Sequence, residues 1–443
     1  MADGRLPVGT RLPATRTLAA DLRVSRGVVT EAYQRLVEDG HVAGRGRGGT
    51  VVVAVPVAAA PVRPVAPPSP GDVFARRPGD DVFEAFRAAR ASIDLSPGVP
   101  DLASFPRQAW LRAEREVLAT LEPAAFGYGD PRGALPLRQA VAAWLARGRG
   151  IRVAPDDVLI TAGVSQALGL LAKALLAGGI TTVAVEDPGS LRVRQHLANA
   201  GLATPPIPVD DDGLRVDLLE AGGAPAVMTT PAHQFPTGVV LGPQRRRRLL
   251  RWPGLVIEDD YDAEHRYDRP PVPALRSMLD RVCYAGSVSK LLAPALRVGW
   301  LLVPGEHRDA IIAAKRLADL GNAALPQLVL AELMSSGELE RQLRFLRRRH
   351  VHRRDAMIAA LRAHLPGARV HGAAAGLHLT ITFDAGFSDV ELAARVLAGG
   401  VKVQPLSWHC QAEHAPGLVL GYASTTPGDI ATAVAAIRRA LPA

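Results

Sequence analysis

The sequence predicts an α/β fold with a mainly parallel sheet, preceded by a small separate module. Three observations carry that prediction. Beyond about residue 81, short apolar runs alternate with segments of helical period. A proline-rich stretch sets this large region apart from the first 55 residues. Those first residues carry two short helical patterns, then a glycine-rich tip between two apolar runs. Strands that alternate with helices form a parallel sheet with helices packed on its faces.

Composition narrows the class. A chain of 443 residues with 48% hydrophobic and 21% charged residues is globular and long enough for two or three cores. The formal charge of +9 points to a polyanionic partner such as nucleic acid. Lysine occurs only at positions 173, 290, 315 and 402, so arginine supplies almost all of the positive charge. The two cysteines, Cys283 and Cys410, offer neither a disulfide framework nor a metal-ligand spacing. Met1 to Thr10 lacks the apolar core of a signal peptide, and no apolar run is long enough to span a membrane. The expectation is a reduced, cytoplasmic protein without a metal.

The boundaries follow from these shifts: residues 1–55 as one module, 56–80 as a linker, and 81–443 as the large domain. Prolines at 56, 61, 64, 67, 68, 70 and 78 make the linker extended and semi-rigid. In the module, Thr15–Leu22 reads as a helix. Ser25 reads as the N-cap of a second helix, Arg26–Glu38, which Gly40 stops. The second helix places Val28, Val29, Ala32, Tyr33, Leu36 and Val37 on one face, and its first turn presents Arg26, Gly27 and Thr30. Two short helices, the second opening on polar residues, fit a helix-turn-helix whose second helix enters the major groove. Gly44 to Gly49, with Arg45 and Arg47, forms a basic tip between two strands, a wing suited to the phosphate backbone.

In the large domain, strands are expected at 158–161, 182–186, 226–229, 255–258, 282–285 and 298–301, with helices such as 165–176 and 243–252 between them. Ala162-Gly-Val-Ser-Gln166 turns from a strand into a helix, and the free amides of a helix start bind phosphate. Ile257-Glu-Asp-Asp-Tyr261 ends an apolar strand in acids, where a carboxylate can pair with a protonated pyridine nitrogen and a phenol with the neighbouring ring oxygen. Ser287-Val-Ser-Lys290 ends another strand, and Arg297 follows. A lysine held there in partly apolar surroundings suits a Schiff-base amine, and Ser287 and Arg297 suit a phosphate.

These stretches carry a family resemblance. Leu12-Pro-Ala-Thr-Arg-Thr-Leu-Ala19, Val24-Ser-Arg26 and Gly48-Gly-Thr-Val51 resemble the GntR-type winged helix. Ser96-Pro-Gly-Val-Pro-Asp-Leu102, Gly127-Tyr-Gly-Asp-Pro-Arg-Gly133, Val185-Glu-Asp-Pro-Gly189, Thr230–Gly238, Ile257–Asp262, Ser287–Lys290, Pro294–Arg297 and Ala375-Gly-Leu-His378 resemble fold-type I aminotransferases. The whole resembles the MocR-type regulators, which fuse the two. The resemblance implies a three-layer α/β/α fold, with a large part at about 120–320 and a small C-terminal α+β part at about 321–443. It implies pyridoxal 5'-phosphate as cofactor, with Lys290 as the internal aldimine, Asp259 on the pyridine nitrogen and Tyr261 on the ring hydroxyl. Gly163, Val164, Ser287 and Arg297 would hold the phosphate, and Ser165 and Ser289 would also bind the cofactor. Tyr128 would reach the partner's phosphate in a homodimer, and His233 and Gln234 would face the ring. Arg16, Ser25, Arg26, Thr30, Arg45 and Arg47 would meet operator DNA.

Three departures shape the functional expectation. The family's winged helix begins with a helix ahead of Gly4–Thr10, and this chain starts there. Without that helix Leu12, Leu18, Leu22 and Tyr33 are expected to face water, so either the start lies upstream or the module is incomplete. Ser190 stands where an aromatic residue usually stacks on the cofactor. Val419 stands where an arginine usually grips the substrate carboxylate, which leaves Arg192 as the candidate for an effector carboxylate. The sequence therefore reads as a cofactor-binding, DNA-binding transcription regulator that senses an amino acid or amine. The rivals are a working aminotransferase with a vestigial N-terminus and a DNA-binding protein with a dead scaffold.

Overall fold

The structure, a computed structural model, describes residues 5–55, 73–75, 78–79, 81–267, 272–384 and 386–442, apart from the side chains of Arg47 and Ala263. Most of the expected linker, 56–80, therefore lies outside the described residues. The chain divides into two compact units, Met1–Ala66 and Pro67–Ala443.

In the first unit, helix α1 (Thr15–Leu22) packs on helix α2 (Arg26–Glu38). Ser25 caps α2 by accepting from the Val28 amide at 3.4 Å. Gly40, at φ +73°, lets the chain turn out of α2 where a side chain would be strained. Strands β1 (Val42–Gly44) and β2 (Thr50–Val52) pair antiparallel around a tight turn at Gly46–Gly48, which is the expected wing. Leu12, Ala19, Val29, Tyr33, Val42 and Val52 close a small core. Two expectations need correction. Leu12 and Tyr33 are buried rather than exposed, because the wing and the Pro13 carbonyl, which accepts from the Tyr33 hydroxyl at 2.9 Å, cover them. The apolar face of α2 is narrower than its periodicity suggests, since Val28 and Val37 are about half exposed. Leu22 is exposed, as expected.

The second unit is three-layered. Strand β3 (Ile93–Asp94) belongs to its smaller part. The central sheet comprises β4 (Leu159–Thr161), β5 (Ala184–Asp187), β6 (Pro206–Asp210), β7 (Gly213–Leu214), β8 (Ala226–Thr229), β9 (Leu255–Asp259), β10 (Val282–Ser287) and β11 (Gly299–Leu302). Their order is β4-β11-β10-β9-β8-β5-β6-β7, and only β11 and β7 run against the rest. Nearly every residue of β4, β5 and β8–β11 is buried, as both faces of a covered sheet require. The helix Val164–Ala177 and its neighbours cover one face, and the helix Leu135–Arg149 with its neighbours covers the other.

The smaller part is built on β12 (Ala368–His371), β13 (His378–Phe383), β15 (Gln404–Pro405) and β16 (Gly417–Gly421), an antiparallel sheet ordered β12-β13-β16-β15. Strand β14 (Val401–Lys402) pairs in parallel with β3. Two segments cross the expected division near residue 320. Phe74, Phe83 and Phe86, early in the chain, surround Trp408 in the small core, with Phe74 stacked on it at 5.3 Å. The helix Ala324–Ser335 packs instead on the helices Arg107–Thr120 and Leu135–Arg149 of the large part.

The end of β9 is anchored from behind. Arg149 Nε donates to Asp260 Oδ2 at 2.5 Å, and the Tyr284 hydroxyl donates to the same oxygen at 2.6 Å. Both charged side chains are almost wholly buried. Removing one partner of such a pair strands the other charge in a medium that cannot solvate it. Arg149→Met is therefore expected to lower unfolding free energy by about 3–5 kcal/mol, read from the denaturant midpoint. Arg35→Ala, which breaks an exposed pair on α2, should change it by less than about 1 kcal/mol.

Candidate functional site

The site lies where the parallel strands end and the chain turns back. Gly163 caps the helix Val164–Ala177 at φ +83°, and Val164 and Ser165, both half-buried, open that helix. Arg297 leans across this turn: a Cβ on Gly163 would come within 3.2 Å of its guanidinium, which donates to the Ala162 carbonyl. Ser287 ends β10, and its hydroxyl accepts from the Ser289 amide at 3.4 Å. Gly299 makes the approach of the two turns possible, since a Cβ there would lie 2.9 Å from the Gly163 Cα and 3.2 Å from the Ser287 Cβ. Helix-start amides, two serines and a guanidinium meet where the two turns approach, the chemistry of a phosphate cradle.

Lys290 follows directly. Its Nζ donates to the Gly98 carbonyl, and its own carbonyl lies 3.2 Å from His265 Nε2. Burial pushes its amine down to about 8, against the opposing pull of Asp262 and Asp259; the Arg192 charge adds to the depression. The other lysines are accounted for. Lys315 pairs with Asp319 at 3.0 Å, Lys402 donates to the Arg87 carbonyl at 3.3 Å, and Lys173 lies exposed on a helix.

Asp259 ends β9. Burial pushes its carboxyl up to about 7, and the neighbouring Asp260 and Asp262 add to the rise. Its Oδ1 is buried and finds no hydrogen-bond partner among the described residues. Tyr261 lies with its hydroxyl 3.0 Å from His233 Nδ1, and that nitrogen also lies 2.9 Å from Asp262 Oδ2. One ring nitrogen cannot donate to Asp262 and accept from Tyr261 at once, so the two contacts compete for Nδ1. Burial holds the Tyr261 phenol well above its ordinary pKa, so it stays protonated.

Some expected residues stand elsewhere. Gln234 is spent on its own loop: its amide donates to the Pro188 and Phe235 carbonyls at 2.8 and 2.7 Å and accepts from Thr237. Ser190 caps the helix Leu191–Asn199 through the Val193 amide, and with Glu186, Thr230 and Phe235 it lines a cavity of about 20 Å³. Arg192 stacks over the Phe83 ring at 4.3 Å and lies 3.9 Å from Glu84. Tyr128 is 92% exposed. Val419 is fully buried in β16. Arg353 does reach the end of that strand, but it is committed to Asp101 at 2.8 Å and to the Ala423 carbonyl.

In the first unit, Arg16, Ser25, Arg26, Thr30 and Arg45 are all exposed. Ser25 and Thr30 are occupied within α2, the latter donating to the Arg26 carbonyl at 2.9 Å. The Arg47 side chain lies outside the described residues. Sequence reasoning missed Arg11, whose guanidinium lies against the wing's Gly49 so closely that a Cβ there would sit 2.8 Å away. It also missed Asp262, which orients His233, and Glu186, whose carboxylate accepts from Thr229, Thr230 and Gln234. Phe235, His378 and His409 form an aromatic cluster beside Tyr261, with ring centroids 4.9–6.2 Å apart. The acids stood in the quoted motifs, but nothing in spacing separates a ring-facing carboxylate from a supporting one.

A phosphate cradle, a lysine with a depressed pKa and a buried carboxylate oxygen awaiting a cation define a fold-type I pyridoxal-phosphate site. The glycine-walled cradle and the unsatisfied Asp259 Oδ1 fit the two ends of that cofactor. Residues 90–437 match the family aminotransferase class I and II, and residues 1–52 match the bacterial regulatory proteins of the gntR family. The probable rhizopine catabolism regulatory protein MocR of Rhizobium meliloti is 31% identical over 456 residues, covering 99% of this chain and 90% of that protein. The pyridoxine biosynthesis regulator PdxR of Corynebacterium glutamicum is 32% identical over 434 residues, covering 96% and 89%. The crystal structure of a multiple substrate aminotransferase from Thermococcus profundus superposes with a TM-score of 0.75 at 27% identity, over 82% of this chain and 94% of that one. The chain belongs to the MocR-type regulators, which join a GntR helix-turn-helix to an aminotransferase class I and II domain. Homologues of this fold bind pyridoxal phosphate; a kynurenine aminotransferase of Pyrococcus horikoshii was solved with its amine form. No helix among the described residues is long and apolar enough to cross a membrane.

The Asp259 shift has a stability consequence. A carboxyl raised from 3.8 to about 7 on folding binds its proton more tightly when folded. Its contribution is intact below pH 4 and is lost as pH rises through 7. In the cofactor-free protein, Asp259→Asn should therefore be nearly neutral at pH 4 and stabilising by about 4 kcal/mol at pH 8. Thermal unfolding of both proteins across that range checks this. A gain that is independent of pH would contradict it.

Proposed function

We propose that this chain is a homodimeric transcription regulator that reads duplex operator DNA with its first unit. In this reading the second unit senses an amino acid or amine through a cofactor attached to the Lys290 amine. The observation that carries this is the pairing of a complete cofactor set with a missing substrate clamp. Lys290, Asp259, Tyr261 and Arg297 stand at one strand-end site, while Val419 is buried and uncharged and Arg353 is committed to Asp101.

Pyridoxal phosphate, when bound, supplies an electrophilic carbon for amine exchange and an electron sink for the resulting adduct. The chain's own groups supply the rest. At neutral pH an amine with a pKa near 8 is unprotonated in about one molecule in ten, enough to act as a nucleophile. The Asp259 carboxylate is placed to keep a cationic ring nitrogen charged. The protonated Tyr261 hydroxyl is the candidate donor to a ring oxygen. Arg192, half-exposed and within electrostatic reach of Lys290, is the candidate partner for an effector anion. The exposed Tyr128, beside the 61% exposed Phe126, suits a contact with the partner subunit.

Exchange of amines needs these groups alone. Transamination also needs the substrate's α-proton held over the cofactor, an orientation that supplies about 7–11 kcal/mol of acceleration. Mixing the loaded protein with a panel of amines and amino acids should give a shift in the visible spectrum, with slow or no turnover to the pyridoxamine form. Complete conversion at roughly 10 per second would favour the aminotransferase reading. Borohydride should fix the cofactor to the peptide carrying Lys290, and Lys290→Ala should abolish the labelling.

The DNA part has its own test. Arg26→Ala and Arg45→Ala should weaken binding to duplex DNA and lower the slope of log affinity against log salt by about 0.9 for each phosphate no longer neutralised. An unchanged slope would place the DNA-binding surface elsewhere on the chain.

A further inference from the structure

Most of the chain's excess positive charge lies outside its DNA-reading module. The first 55 residues hold eight arginines against five acidic residues, which is +3 of the chain's +9, and the remaining +6 belongs to residues 56–443. Much of the arginine there is consumed internally. On the helix Pro243–Arg251, Arg245 binds Asp210, Arg248 binds Glu220, and Arg246 donates to the Pro273 carbonyl. On the helix Glu338–His364, Arg349 and Arg353 bind Asp101, and Arg347 donates to the Tyr267 carbonyl.

Arg344 and Arg348 on that same helix differ. Both are exposed, and neither has a hydrogen bond or ion pair among the described residues. With Arg341, Gln342 and Phe345 they line a groove of about 430 Å³. Phe345 is 40% exposed in this groove, with the Arg349 guanidinium 5.5 Å from its ring. The acid at its edge, Glu338, is already paired with Arg341 and lies 3.8 Å from Arg112. A run of exposed charge on a helix is commonly a solvated face. Here two guanidiniums repel each other at i, i+4, a cost of about 0.2–0.5 kcal/mol, and they do so in a concave surface, which focuses their field outward.

We propose that this groove is a second contact with duplex DNA, in which Arg344 and Arg348 neutralise backbone phosphates. The inference rests on the DNA-binding reading above. Residues at i and i+4 stand about 5–6 Å apart, a spacing of one to two nucleotides at about 3.4 Å of rise per strand charge. A contact made to the phosphate backbone adds affinity and salt dependence without sequence preference.

The test uses the full-length, cofactor-loaded protein and random-sequence duplexes of roughly 20 and 60 base pairs, since backbone contacts do not depend on sequence. Arg344→Glu with Arg348→Glu should leave the visible spectrum and melting temperature unchanged. On the longer duplex it should weaken binding about tenfold and reduce the salt slope by about 1.8. Wild-type affinity and slope on the longer duplex would overturn the inference. So would a fall in mass in sedimentation, which would assign the groove to a contact between copies of this chain. If Arg26→Ala and Arg45→Ala abolish binding to both duplexes while the groove variant changes neither, the groove inference alone fails. If the wild type binds neither duplex, the DNA-binding reading fails with it.

Discussion

Two carboxylates stand side by side at the end of β9, and the site depends on how differently they are neutralised. Asp260 turns to the rear, where Arg149 and Tyr284 meet it at 2.5 and 2.6 Å. Asp259 turns to the front, where its Oδ1 has no partner among the described residues. Burying one ion pair is tolerable when geometry is good; burying a second carboxylate without a cation is not. Burial and the neighbouring Asp260 and Asp262 therefore favour the neutral form of Asp259, against the pull of Lys290, until a further cation arrives from outside. Under the proposed reading a protonated ring nitrogen is such a cation, with the phosphate of the same group held at Gly163 and Arg297.

Much of this was legible in the sequence because it rests on local patterns. The strand runs, the glycine turn at Gly163, the Asp259–Tyr261 element and the Ser287–Lys290 turn each declare themselves within a few residues. In the first unit the Ser25 cap and the Gly40 stop did the same. What was not legible depends on distant pairing. The sequence could not show that Arg149 belongs to Asp260, 111 residues away, or that Phe74 and Phe83 complete the core around Trp408. It assigned Gln234 to the ring because the motif suggested it, yet the glutamine's donors are used by neighbouring carbonyls. Periodicity likewise gave α2 too wide a face, because it cannot see that the wing covers only one stripe of it.

Under the proposed reading, the missing clamp is what suits such a site to sensing rather than turnover. An enzyme gains rate from interactions made only in the transition state, while binding alone gains none. Val419 and Ser190 remove the carboxylate grip and the stacking aromatic, and both changes weaken orientation. In that reading the amine of Lys290, the Asp259 carboxylate and the Arg297 guanidinium remain to hold the cofactor. What such a site retains is reversible capture of an amine, and capture is what a sensor requires.

Capture by itself shifts no equilibrium; a ligand acts only through its different affinity for two states. The contacts of Lys290 indicate where such a difference can arise. Its amine donates to the Gly98 carbonyl. The loop that carries Gly98 is tied through Asp101 to Arg349 and Arg353 on the long helix, each at 2.8 Å. The same loop packs against Gly421, where a Cβ would lie 2.2 Å from the Ser96 carbonyl, so it has little room to move alone. A lysine engaged elsewhere cannot also hold Gly98. Under the proposed reading, the captured and uncaptured states therefore differ by one hydrogen bond on a strap joined to the small sheet and its helix. Such a bond contributes about 0.5–1.5 kcal/mol, a shift of about two- to tenfold in a two-state balance. That range is modest beside the roughly 5.5 kcal/mol needed for a full switch, so the effector's own contacts, Arg192 foremost, must supply the larger share.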